Sequence, residues 1–141
     1  MQLALRKTAA TGATFWARLA AWAIKTRLVS QYCHGGIVIG DRVYHATAAH
    51  GLCDAEFAPE KWDLFDLGAD RDVQILSLYR LLQGAKYDWV SLLAFVVPWR
   101  VSDADRMYCF EWCWMCIEDR NPSFRVTPEM LLESILKNKK G

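Results

Sequence analysis

The sequence predicts an α+β domain, and three stretches predict it. Gln31 to Thr47, Gln-Tyr-Cys-His-Gly-Gly-Ile-Val-Ile-Gly-Asp-Arg-Val-Tyr-His-Ala-Thr, reads as two short strands joined at Gly40-Asp41. Phe15 to about Arg27 and the residues after Asp70 repeat their apolar positions at helical spacing. Cys109 to Glu118 is apolar on every helical face except at Glu111 and Glu118, as a helix buried against a sheet would be. A chain of 141 residues is long enough for one sizeable core and too short for two ordinary ones, so residues 1–141 are expected to form one domain, with 138–141 as a frayed tail.

The hairpin sets the frame. Gly at the first central position tolerates the positive φ of a two-residue type II′ loop. If Ile39 pairs with Arg42, then Val38 faces Val43 and Ile37 faces Tyr44, and His34 and His45 fall on one face while Ile37, Ile39 and Tyr44 take the other. A lone histidine is most simply a hydrogen-bonded structural residue. Two on one face, beside the gap left by Gly36, suggest a site.

The other elements follow from local signals. Thr14 can cap the first helix, where Phe15, Trp16, Leu19, Ala20, Ala23 and Ile24 form one face and Arg18 and Lys25 lie on the other. We expect its apolar face to cover the sheet; a membrane-surface helix is the sharper alternative, since Trp16 and Trp22 accompany the basic side. His50 to Asp54 leads through a turn into a further strand, and Lys61 to Leu67 alternates as a half-buried strand does. Asp70 is a candidate cap for a helix closed by Gly84. Trp89 to Val97 reads as a buried helix ending before Pro98, and Asn121-Pro122-Ser123 as the break after the Cys109 helix. Thr127-Pro128 supplies an N-cap and a first-turn proline for the last helix.

Composition excludes several classes. A net charge of +1 gives no general attraction to nucleic acid, although the first carboxylate is Asp41 and the quarter before it carries Arg6, Lys7, Arg18, Lys25 and Arg27. The run from Trp89 to Trp99 falls short of the roughly 18 residues of a spanning helix. Five cysteines, an odd number without a secretory signal, argue against a disulfide scaffold and for a reducing, cytoplasmic setting. Cys113 and Cys116 have zinc-ligand spacing, but a single pair inside one helix suits core packing better, and neither a metal nor a cofactor is expected.

Cys109 opens its helix, where backbone N–H groups and the macrodipole favour a thiolate. With a histidine base and a second polar group to orient it, that is the pattern of activated thiol catalysis. Glu111, in the first turn, is read as a cap.

The order and spacing of Ser30 to Asp41, Val43 to Thr47, Tyr87-Asp88, Tyr108 to Trp112 and Thr127-Pro128 resemble the circularly permuted NlpC-type papain-fold superfamily of cysteine peptidases and amidases. The likeness is closest to small phage-type members, which are related to lecithin retinol acyltransferase-like proteins. It implies a papain-like antiparallel sheet packed against the helix that carries the nucleophile. It further implies Cys109 as nucleophile, His34 as general base, His45 as the second histidine of the acyltransferase-like branch and Tyr87 as a residue lining the substrate site. The implied activity is a hydrolase acting on an amide or ester through a thioester, with a cell-wall peptide as the substrate suggested by the phage-type likeness and a virion or partner to deliver the enzyme. A membrane-surface acyltransferase and a non-catalytic binding module are the alternatives. Two positions depart from the pattern: Phe110 stands where serine usually follows the cysteine, and Cys33 where serine usually precedes the histidine.

Overall fold

The computed structural model describes residues 1–8, 12, 14–28, 30–47, 49–68, 71–87 and 106–139. Its elements run β1 (Gln2–Arg6), α1 (Phe15–Leu28), β2 (His34–Ile39), β3 (Arg42–Thr47), β4 (Gly51–Glu56), a short 3-10 turn at Pro59–Lys61, β5 (Trp62–Asp66), α2 (Asp72–Leu82), β6 (Lys86–Tyr87), β7 (Arg106–Met107), α3 (Cys109–Glu118) and α4 (Pro128–Asn138). Five strands form an antiparallel sheet in the order β4-β3-β2-β1-β5, and β6 and β7 form a short parallel pair. The fold is thus α+β, with a mostly consecutive sheet that β1 enters from the N-terminus.

The hairpin has the expected register, Ile39 with Arg42, Val38 with Val43 and Ile37 with Tyr44. Gly40 takes φ +61° while Asp41 keeps a negative φ, the signature of a type II′ loop. One face of the sheet carries Leu3, Leu5, Ile37, Tyr44, Ala46 and Leu52, all buried against α2, α3 and α4. Trp112 Nε1 donates to the Tyr44 carbonyl at 2.8 Å, which ties α3 to β3. The other face carries a smaller cluster of Ala4, Val38 and Val43, with Phe57 and Trp62 packed on it.

Several helix ends match their sequence signals. Thr127 Oγ1 accepts from Met130 N, Pro128 opens α4, and Gly84 takes φ +86° after α2. Glu111 reaches back to the Tyr108 backbone N–H at 3.3 Å, completing a capping box at the start of α3. Other features differ from expectation. Helix α3 ends at Asp119, which adopts the left-handed conformation at φ 57°, so the chain has left the helix before Asn121-Pro122. Asn138 belongs to α4 and not to a tail. Phe15 and Leu19 do not cover the sheet: they are 71% and 42% exposed, and Trp22 is 64% exposed, while among the described side chains of α1 Ile24 reaches the core. Strand β1 has no counterpart in the sequence reading. The expected cap at Asp70 and the expected helix Trp89 to Val97 lie outside the described residues.

Gly51 links β4 to the segment that leads toward β6. It holds φ +67°, and a Cβ there would stand 2.1 Å from the Ala85 carbonyl oxygen, whose partner is Leu52 N at 3.0 Å. Gly51→Ala combines left-handed strain with a backbone clash, and should lower stability by about 2 kcal/mol or more. Urea unfolding of the variant beside the parent measures it.

Candidate functional site

His34 opens β2 and His45 lies near the end of β3, and the register brings their rings together. His34 Nε2 and His45 Nδ1 are hydrogen-bonded at 2.9 Å, with ring centroids 5.1 Å apart. Gly36 makes room for this pair, since a Cβ there would sit 2.8 Å from Val43 Cγ2 and 3.1 Å from His45 Cβ. Trp62, on β5, closes the far side with its ring 5.7 Å from His34 and 6.4 Å from His45.

Arg6 enters this group through the sheet. It is paired in register with His34 on one side and Trp62 on the other, and its guanidinium stacks over the Trp62 ring at 4.9 Å. Such stacking contributes about 1 kcal/mol. Burial lowers the Arg6 pKa, while the nearby thiols of Cys33 and Cys109 act in the opposite direction. The cation in turn acts on both imidazoles. Burial, then His45, then Arg6 hold His34 well below its usual pKa. Burial and Arg6 bring His45 down to about 4, against a smaller opposing pull from Asp54. Both histidines are neutral at pH 7.

Cys109 is the first residue of α3 and is 2% exposed. It belongs to the same buried cluster as Leu5, Ile37 and Phe110. The backbone at Gly35, the residue after His34, lies against its sulfur, and a Cβ on Gly35 would meet the Phe110 ring at 3.1 Å. The amides of Gly35 and Phe110 favour the thiolate, but burial outweighs them and pushes the thiol up to about 12. The expected thiolate bias of a helix N-terminus is therefore reversed here by desolvation. Cys113 and Cys116 are buried in the core, where burial raises both thiols as well.

The structure thus joins His34 with His45 directly, and Cys109 with the β2 backbone beside them. Among the described residues, the His34 ring hydrogen-bonds His45 and not the Cys109 thiol. Tyr87 is in β6, in parallel register with Met107 two residues before Cys109, and its side chain lies outside the description. Sequence reasoning did not single out Arg6 or Trp62. The alternation in Lys61 to Leu67 could have marked the face of Trp62, but Arg6 is recognised only once β1 is paired. Compared with known proteins, the chain matches no family model and no curated protein.

The depressed histidines make stability depend on pH in a defined direction. Between about 6.5 and about 4 the unfolded chain binds a proton at His45 that the folded chain excludes. Stability is then complete above about pH 6.5 and falls as pH drops toward 4, by about 3 kcal/mol for full titration of this one residue, with His34 adding in the same sense. Urea unfolding at about pH 7 and about pH 5 should show the loss, and His45→Gln should flatten it.

Proposed function

We propose that this chain is a thiol hydrolase of the permuted NlpC-type papain fold, cleaving an amide or ester through an acyl thioester on Cys109. The observation that carries the reading is the 2.9 Å bond between His34 Nε2 and His45 Nδ1, with Gly35, the residue after His34, holding its backbone against the Cys109 sulfur. With the proton of that bond on His34 Nε2, Nδ1 of His34 is the free basic nitrogen. On this reading Nδ1 takes the thiol proton as sulfur bonds to the carbonyl carbon. The imidazolium returns that proton to the leaving amine or alcohol as the C–N or C–O bond breaks. Water, deprotonated by the same imidazole, then releases the acid and the free thiol. His45 holds the base in the working tautomer.

The experiment is acylation by p-nitrophenyl acetate, followed by intact mass and peptide mapping. One acetyl group should appear on Cys109. Cys109→Ala should abolish it, and His34→Ala should slow it by about a hundredfold or more. His45→Ala should slow it less than His34→Ala does. Acetylation confined to Cys53, or an unchanged rate in His34→Ala, would favour a non-catalytic module.

A second reading, acyl transfer at a membrane surface, has its own support. Phe15, Leu19 and Trp22 are exposed on α1, next to a groove of about 500 Å³ lined by Lys7, Arg18, Trp22 and Lys25. No helix among the described residues is long and apolar enough to cross a membrane, so any such contact would lie along the surface. Sedimentation with anionic vesicles should then show binding that weakens with salt and with Trp22→Ala or Arg18→Glu. Equal recovery of parent and variants in the supernatant would dismiss it.

A further inference from the structure

Arg6 has a role that the thiol chemistry leaves unassigned. Its guanidinium is half-buried, and Nε is enclosed without an acceptor. Among the described residues, no carboxylate or carbonyl accepts a hydrogen bond from any of its side-chain nitrogens. Three other cations do have acceptors: Lys7 is paired with Asp63 at 2.7 Å, Arg42 with Asp54, and Arg71 bonds the Ile117 carbonyl at 3.0 Å. The Arg6 side chain is held in place nonetheless, by the Trp62 ring on one strand and by its register with His34 on the other. A fixed, partly desolvated fork of donors without an acceptor is suited to a ligand that brings one.

We propose that Arg6 anchors an oxyanion, a carboxylate or phosphate, carried by the acyl substrate near the bond that is broken. The proposal rests on the thiol hydrolase reading for what the substrate is, but the anion site itself does not depend on Cys109 being reactive. Arg6 is the register partner of His34 and stacks on Trp62, whose ring lies 5.7 Å from His34 and 6.4 Å from His45, so an anion seated on it lies on the histidine side of the sheet. The guanidinium offers two parallel N–H donors to a carboxylate or to two phosphate oxygens. Trp62, stacked against the guanidinium, keeps that fork oriented.

The test is protection of Arg6 from phenylglyoxal in the full chain, mapped by mass spectrometry, with sodium acetate or inorganic phosphate at constant ionic strength. Either anion should slow Arg6 modification severalfold and saturably, while exposed Arg120 is unaffected. The more protective of the two identifies the ligand as carboxylate or phosphate. Thermal unfolding gives a second measure: the protective anion should raise Tm in the parent, less in Arg6→Lys, and not in Arg6→Gln. Equal protection of Arg6 and Arg120, or a Tm rise that persists in Arg6→Gln, would overturn the anchor. If Arg6→Gln does not fold, the parent's protection pattern decides alone. Loss of acetylation at Cys109 with intact anion protection would sink the hydrolase reading and leave the anion site standing.

Discussion

The two-residue loop at Gly40-Asp41 is the constraint on which both the core and the candidate site depend. It sets Ile37 opposite Tyr44, which sends those side chains toward α3 and leaves His34 and His45 on the other face. A slip of one residue would invert every side chain on the slipped strand, so register cannot be adjusted gradually. The imidazole bond is worth about 1 kcal/mol net. Burying Ile37 and Tyr44 against the helical layer is worth several times more. The core therefore holds the histidines together, and not the reverse. Trp112 reinforces the arrangement from the helix by bonding the Tyr44 carbonyl.

At Cys109 two effects compete. A helix N-terminus favours an anion by up to about 2 kcal/mol in a partly buried setting. A thiol raised from 9.0 to about 12 has moved by an amount that corresponds to about 4 kcal/mol in the other direction. Burial wins, and the resting sulfur is protonated. Glu111 adds to this balance, because the carboxylate that completes the capping box also offsets the positive end of the helix. Position at a helix terminus predicts the sign of one contribution; exposure decides the total.

That distinction separates what was legible in the residues from what was not. The hairpin, the Thr127-Pro128 start, the Gly84 stop and the Glu111 cap could be read because each is decided within a few residues of chain. Strand β1 could not. Gln2–Arg6 offers Leu3 and Leu5 as its apolar pattern, too short to distinguish from a disordered terminus, and its partners lie more than 25 residues away. Arg6 was hidden with it, as one of several N-terminal cations until pairing set it beside His34. The periodicity of α1 correctly gave a helix, but periodicity shows that an apolar face exists and not what covers it. Phe15, Leu19 and Trp22 are part of such a pattern, and they are exposed.

Arg6 also bears on which form of thiol chemistry the site would favour. A preformed thiolate–imidazolium pair needs the surroundings to stabilise both charges. The Arg6 cation favours the thiolate and opposes the imidazolium, and its pull on His34 and His45 adds to their burial. The two effects cancel in part, while burial disfavours each charge separately. On the hydrolase reading, the resting pair is therefore a neutral thiol and a neutral imidazole, with proton transfer concerted with attack. An anion bound to Arg6 would change that balance, since neutralising the cation removes its opposition to a charged His34. The base would then gain strength only with the substrate in place.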